Sequence, residues 1–237
     1  MSHSFNRTIL REYDIRGIVG QTLGEEDARA IGRTFGTIIV RSGGSTVAVG
    51  RDGRLSSPAL CAALVDGLTA SGCHVIRTGL GPTPMLYYAE AVLPVDGGIQ
   101  ITGSHNPGDY NGFKMVLGHK SFFGADIQKL GAMAAAADWE SGSGSVTDQD
   151  MESAYLARLV EGLSLGSYRI GWDAGNGAGG RIVEQLAAIL PGEHHLLFTD
   201  IDGNFPNHHP DPTEEKNLEH LKALVAEKQL DFGLAFD

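Results

Sequence analysis

Apolar residues alternate along the chain between the spacing of helices and that of strands. Residues 25–41 carry apolar side chains every three or four positions, which predicts an amphipathic helix. Short apolar runs at 46–50 and 74–78 predict strands, and the segment between them, which starts near Ser57 and stops before Gly72, predicts a helix. A strand, a helix and a strand within about 33 residues form a βαβ unit, so the two strands are expected to pair in parallel.

The same alternation continues to the end of the chain with one interruption. The remaining predicted elements are strands at 98–102, 113–117, 168–173, 195–199 and 230–237 and helices at 125–138, near 150–162, around 183–190 and at 212–229. The helix at 212–229 is expected to begin at a cap formed by Asp211. Residues 140–149 are rich in glycine and serine, which is typical of a linker. The pattern therefore predicts two α/β domains, at 1–148 and 149–237.

Composition and charge narrow the possible functions. The 237 residues are 42% hydrophobic and 20% charged, which is typical of a globular protein. The net charge of −11 argues against broad binding to nucleic acid or to an anionic membrane, but it leaves local phosphate binding possible. The amino terminus lacks the apolar core of a signal peptide, and no run approaches the roughly 18 apolar residues of a spanning helix. Because Cys61 and Cys73 form no disulfide or metal framework, we expect a cytoplasmic protein with reduced thiols.

The segment 98–115 places an apolar strand directly before a polar loop. Loops at the carboxyl ends of strands in α/β sheets commonly bind ligands. Gly103 would allow a sharp turn that leaves the Ser104 hydroxyl accessible. His105 could carry a proton, and Lys114 could supply a positive charge. An ordinary Ser/Asn/Pro turn is the alternative, and the absence of a Gly-x-Ser-x-Gly elbow disfavours a hydrolase triad.

A second glycine-rich segment, 175–180, follows one predicted strand and opens a helix. Its spacing matches the dinucleotide pattern G-x-G-x-x-G, with Asp200 and Asp202 about 20 residues beyond the turn. A nucleotide-binding oxidoreductase domain is therefore an alternative function. Asp173 would place negative charge near a pyrophosphate, which favours a plain strand-to-helix turn.

Several arginines flank glycines in the first quarter of the chain. They are Arg11, Arg16, Arg51 and Arg54. Their guanidinium groups could bind phosphate oxygens through paired hydrogen bonds. Ion pairs at the protein surface are the alternative.

Six segments, in one order along essentially the whole chain, resemble a known family. They are REYDIRG, GRDGRLSSP, GLGPTPM, ITGSHNPGDYNGFKM, DAGNGAGG and DGNFPNHHPDP. The combination resembles the α-D-phosphohexomutases and, within them, the phosphomannomutase/phosphoglucomutase branch. The resemblance implies two consecutive three-layer α/β domains with mixed, mostly parallel sheets flanked by helices. Domain I would carry a phosphoserine loop, and domain II would end at the start of a metal-binding loop.

The resemblance also implies an activity and roles for individual residues. Ser104 would carry a phosphoryl group that moves between C1 and C6 of mannose or glucose phosphates. A hexose 1,6-bisphosphate would be both the intermediate and the activator. His105 and Lys114 would transfer protons and stabilise charge, and Tyr13 and Arg16 would bind the hexose phosphate. Mg²⁺ would be the cofactor, held by Ser104 and by Asp237.

The sequence departs from the family pattern at its last residue. The family's metal loop has the form Asp-Gly-Asp-x-Asp-Arg, and Asp237 aligns with its first carboxylate. We therefore expect the chain to be the amino-terminal half of a longer enzyme, with the missing carboxyl-terminal half as its partner. We also expect negligible mutase activity from the chain alone. A non-catalytic phosphosugar-binding module is a further alternative.

Overall fold

The computed structural model describes residues 2–164 and 166–237, and the chain divides into two compact units. Unit 1 comprises Met1–Gly103 and Asp109–Met151, and unit 2 comprises Ser104–Gly108 and Glu152–Asp237. Each unit has a sheet with helices beside it, which confirms the predicted fold class.

Unit 1 is built on a mixed, mostly parallel sheet. Within the described residues its elements are, in order, β1 (Ile15–Ile18), α1 (Glu25–Arg41), β2 (Thr46–Arg51), α2 (Ser57–Ala70), β3 (His74–Leu80), α3 (Thr83–Val92), β4 (Gly97–Ile101), β5 (Tyr110–Leu117), β6 (Lys120–Phe122), α4 (Ala125–Ala135) and β7 (Val146–Asp148). The strand order is β1-β5-β4-β2-β3-β7, with β6 paired to β5. Strand β2 pairs in parallel with β3, as the βαβ pattern predicts, and also with β4. Strand β5 is antiparallel to both β1 and β4.

The central strand β2 is covered on both faces. Val47 and Val49 pack into a core cluster that includes α1, α2 and α4, whereas Ala48, on the opposite face, packs with Leu86 of α3. Successive residues of a strand point to opposite faces, so the apolar run of β2 reflects burial on both sides. Helix α1 contributes a buried stripe at helical spacing that includes Ala28, Ile31, Phe35 and Ile39.

The segment predicted as a linker is partly a strand, so that prediction was wrong. Strand β7 pairs in parallel with β3 at the edge of the sheet, with Val146 opposite Val75. Arg77 donates two hydrogen bonds to the Asp148 carboxylate, at 2.7 and 2.8 Å. The strand is held by backbone pairing and by an exposed ion pair. Neither of these produces an apolar pattern in the sequence, so the sequence does not predict the strand.

Unit 2 contains a smaller parallel sheet. Within the described residues its elements are, in order, α5 (Glu152–Val160), β8 (Tyr168–Asp173), α6 (Gly180–Ile189), β9 (Gly192–Leu197), a 3₁₀ helix (Glu215–Leu218), α7 (Glu219–Lys228) and β10 (Phe232–Ala235). Strand β8 lies between β10 and β9 and is parallel to both. No helix in the described part of the chain is long and apolar enough to cross a bilayer.

The last helix begins later than the sequence predicts. Asp211 accepts hydrogen bonds from the Thr213 hydroxyl at 2.6 Å and from the Thr213 N–H at 3.0 Å. These bonds lower the pKa of the Asp211 carboxyl. The Asp211 side chain therefore closes a local turn and does not cap a helix. Aspartate oxygens form both kinds of hydrogen bond, so the sequence alone does not distinguish a turn from a cap here. The regular helix α7 starts at Glu219.

Substitution of Gly67 tests the close packing of α1 against α2. A Cβ atom there would lie 2.1 Å from the Arg29 carbonyl oxygen and 2.8 Å from the Arg33 nitrogen, so Gly67→Ala must separate the helices. We expect a loss of about 1–3 kcal/mol in the free energy of unfolding, measured by urea denaturation. Gly98→Ala is the matched control, because its methyl group would meet Glu90 Cγ at an ordinary 3.4 Å. Equal stability of the two variants would contradict the prediction.

Candidate active site

The loop that follows β4 carries the serine singled out by the sequence. Ser104 adopts a φ of +51°, in the left-handed region that non-glycine residues rarely occupy. Its side chain is half-buried, and its Oγ donates to Asp237, at 3.0 Å from each carboxylate oxygen. Nδ1 of His105 lies 3.1 Å from Asp237 Oδ2. Ser104, His105 and Asp237 therefore form one polar cluster within unit 2.

This cluster is accessible to a ligand. The side chains of His105 and Asp237 are 48% and 45% exposed. Asp237 follows β10, so its position at the carboxyl end of a parallel strand is where α/β sheets usually bind ligands. A hydroxyl that donates to a carboxylate, beside an imidazole, has acceptors at hand for its proton when the oxygen forms a new bond.

The donor atoms of this cluster only partly suit a magnesium ion. Mg²⁺ prefers about six oxygen ligands at roughly 2.0–2.1 Å in octahedral geometry. Ser104 and Asp237 offer hard oxygen donors, which fit this preference. However, residues 2–164 and 166–237 contain no group of three or more His, Cys, Asp or Glu side chains placed to hold a metal. The donors in this chain therefore do not form a complete site.

The predicted cations Arg16 and Lys114 lie on one face of the unit 1 sheet. Arg16 is opposite Gly112 in the β1–β5 pair, and Lys114 is two residues further along β5, so strand alternation gives both side chains the same face. The adjacent pair, Ile15 and Phe113, faces the hydrophobic core. Lys114 is half-buried and lies opposite Gln100 of β4.

Arg16 is held in place by an ion pair. Its Nη2 donates to Asp14 at 2.5 Å, and its side chain is only 9% exposed. Its Nε is buried and has no hydrogen-bond partner among the described residues. A buried guanidinium with an unsatisfied N–H retains capacity for one more acceptor.

Tyr13 is also in unit 1, where its side chain is highly exposed. The residue is 79% exposed, and its ring stacks on Phe123 with centroids 6.4 Å apart. An exposed aromatic ring of this kind is suited to contact with a ligand.

Arg54 is buried in the interior of unit 1. It is 1% exposed, its Nη1 donates to the Tyr110 carbonyl at 3.0 Å, and its Nε lies 3.3 Å from Asp52 Oδ2. Arg54 is therefore not a surface ion-pair residue, and phosphate binding by Arg54 stays a prediction. Sequence reasoning also missed the buried Asp52, although its place directly after an apolar strand could have indicated it.

The glycine-rich turn at 175–180 does not offer an open anion site. The N–H of Gly175 donates to Asp173 Oδ1 at 2.9 Å, and the N–H of Asn176 donates to the Phe198 carbonyl at 2.8 Å. The N–H of Gly177 donates within the turn itself. Because a dinucleotide site needs free N–H groups at this point, the nucleotide-binding alternative is not favoured.

Comparison with known proteins identifies the same family in both units. The model for phosphoglucomutase/phosphomannomutase α/β/α domain I matches residues 7–140, and the model for domain II matches residues 153–237. The phosphomannomutase/phosphoglucomutase of Pseudomonas syringae pv. tomato is 46% identical over 231 residues, covering 97% of this chain and 50% of that protein. The phosphoglucomutase of Neisseria gonorrhoeae is 45% identical over 240 residues, covering 99% of this chain and 52% of that protein.

A solved structure agrees with these sequence matches. The crystal structure of a phosphoglucomutase/phosphomannomutase family protein from Burkholderia thailandensis superposes with a TM-score of 0.95 at 45% identity. The match covers 98% of this chain and 53% of that one. The chain thus spans about half the length of the curated relatives it matches. These findings confirm the resemblance read from the sequence: the chain belongs to the phosphoglucomutase/phosphomannomutase family.

Proposed function

We propose that this chain carries the phosphoryl-accepting part of a phosphohexomutase, an isomerase that moves phosphate between C1 and C6 of mannose or glucose phosphates. The observation that carries the proposal is the Ser104 hydroxyl, which is half-buried at a strand tip and donates to Asp237 at 3.0 Å. The names of the relatives support hexose phosphates as the substrates. A hexose 1,6-bisphosphate is the proposed intermediate and activator.

The proposed chemistry is a reversible transfer between two oxygen atoms. A hydroxyl oxygen of the hexose phosphate attacks the phosphorus on Ser104, the Oγ–P bond breaks, and the sugar becomes a 1,6-bisphosphate. The proton of the attacking hydroxyl must leave, and His105 is the proposed acceptor. The departing Ser104 oxygen takes up a proton and becomes the hydroxyl. In the reverse direction the Ser104 oxygen attacks one phosphorus of the bisphosphate, the bond from that phosphorus to the sugar oxygen breaks, and the Ser104 proton passes to the departing sugar oxygen. Such transfers depend mainly on positioning and on neutralisation of the phosphoryl oxygens.

Positive charge and sugar contacts are proposed for unit 1. Arg16, with its unsatisfied buried Nε, and the half-buried Lys114 are the proposed partners of phosphate oxygens. Tyr13, exposed and stacked on Phe123, is the proposed sugar contact. These roles follow from the family resemblance, and the shared sheet face of Arg16 and Lys114 supports them.

Mg²⁺ is the proposed metal cofactor, with Asp237 and an oxygen on Ser104 as its ligands from this chain. When bound, it would neutralise charge on the phosphoryl group. Two protein ligands leave most of an octahedral shell to water, so we propose that this chain binds the metal weakly.

Intact-mass spectrometry tests phosphoryl acceptance at Ser104. After incubation with glucose 1,6-bisphosphate and Mg²⁺, we expect a species heavier by about 80 Da, which is one phosphoryl group. Fragmentation should place the modification on Ser104. Ser104→Ala should remove the species, whereas Ser121→Ala, which changes an exposed serine on β6, should leave it unchanged. An unmodified wild-type chain, or a phosphoryl group on another residue, would refute the proposal.

Magnesium affinity should depend on the phosphorylation state of Ser104. A phosphoserine carries a charge of about −1.5 to −2 and would lie beside the Asp237 carboxylate. Because the two anions repel each other, binding of a cation next to them would be favourable. By calorimetry we expect the phosphorylated chain to bind Mg²⁺ about tenfold more tightly than the Ser104→Ala variant. Asp237→Asn should reduce that difference. Equal affinities of the phosphorylated and Ser104→Ala chains would argue against a metal role for these residues.

A further inference from the structure

Two buried residues directly after β2 hold the two ends of the Ser104 loop. Asp52 Oδ2 accepts a hydrogen bond from the N–H of Gly103 at 3.1 Å. Arg54 Nη1 donates to the carbonyl of Tyr110 at 3.0 Å. Gly103 and Tyr110 flank residues 104–109, and both contacts lie within unit 1. Asp52 therefore holds the first end of the loop through one hydrogen bond, and Arg54 holds the second end through another.

The pair is itself fixed by the groups around it. Asp52 Oδ1 accepts from the Arg54 N–H at 3.0 Å and from the Ser57 hydroxyl at 2.5 Å. Asn111 Nδ2 donates to the same Ser57 hydroxyl oxygen at 2.9 Å. Asp52 and Arg54 are 8% and 1% exposed, so a rotation of the Asp52 carboxylate would leave buried donors without an acceptor.

Gly103 has no space for a side chain beside Arg54 and Tyr110. A Cβ atom there would lie 2.3 Å from Arg54 Nε and 2.8 Å from the Tyr110 carbonyl oxygen. The next residue, Ser104, holds the unfavourable φ of +51°. A non-glycine residue keeps such a conformation only where its surroundings enforce it.

We propose that the Asp52–Arg54 pair acts as a clamp on the serine loop, and that Asp52 is a positioning residue for phosphoryl transfer at Ser104. The proposal rests on the function proposed above. Asp52 touches neither the sugar nor the phosphoryl group. It acts through the Gly103 amide, which sets where the Ser104 oxygen stands. Because phosphoryl transfer needs in-line alignment, a small displacement of that oxygen slows the reaction steeply.

Asp52→Asn tests the clamp with a minimal change in shape. The variant keeps Oδ1 for Arg54 and Ser57, but places an NH₂ donor against the Gly103 N–H. We expect phosphoryl uptake from saturating glucose 1,6-bisphosphate, followed by intact mass, to slow by about 10- to 100-fold. The bisphosphate concentration at half-maximal rate should stay within about twofold, because Asp52 makes no proposed ligand contact.

Ser57→Ala is the matched control for simple loss of stability. It removes one hydrogen bond to Asp52 Oδ1 but leaves the Gly103 contact in place. We expect it to lower the melting temperature while the uptake rate stays within about threefold of wild type. If both variants lost rate in proportion to stability, Asp52 would be only structural and the proposal would be overturned. Should Asp52→Asn fail to fold, Asp52→Asn with Arg54→Met removes both buried charges, and the same slow uptake is expected.

Hydrogen exchange separates failure of the clamp from failure of the proposed function. In the unphosphorylated chain, we expect Asp52→Asn to speed amide exchange in peptides covering 103–110 at least about tenfold relative to Ser57→Ala. Unchanged exchange would overturn the clamp even if Ser104 accepts phosphate. Faster exchange in a chain whose wild type takes up no phosphoryl group would instead support the clamp as a structural feature and refute both the positioning role and the phosphoryl-transfer function.

Discussion

Parallel pairing of the central strands is the constraint on which each unit depends. In unit 1, β2 lies between β3 and β4, and in unit 2, β8 lies between β9 and β10. The carboxyl ends of parallel strands meet at one edge of a sheet, so residues distant in sequence become neighbours there. Asp52 and Gly103 are 51 positions apart and share a hydrogen bond for this reason. The position of Asp52 beside the Ser104 loop therefore follows from where the neighbouring strands β2 and β4 end.

The same aspartate-to-backbone hydrogen bond occurs at the end of the central strand in each unit. In unit 1, Asp52 accepts the N–H two residues later, from Arg54, at 3.0 Å. In unit 2, Asp173 accepts the N–H two residues later, from Gly175, at 2.9 Å. Their second partners differ, since Asp173 lies 3.0 Å from His208 Nε2 whereas Asp52 reaches the serine loop. The glycine-rich turn that resembles a nucleotide motif is therefore one form of a strand-end turn that the chain uses twice.

The sequence predicts those features that depend on local patterns. Strand β8 was predicted with its observed bounds, because its apolar run is enclosed by turn residues. Strand β7 was missed because its pairing with β3 is made by the backbone of distant residues. At the site, motifs identified Ser104 and His105, which the structure brings together with Asp237. The burial of Arg54 could not be predicted, because a sequence gives the charge of a residue and not its burial.

Phosphorylation of Ser104 would turn its attraction to Asp237 into repulsion. The hydroxyl now donates to Asp237 at 3.0 Å, but a phosphoserine has no such proton and would place two anions side by side. The repulsion could be relieved by movement of the loop or by a cation. Hydrogen bonds at Gly103 and Tyr110 hold both loop ends, which restricts movement. Binding of a cation beside these two anions would then be the simpler solution.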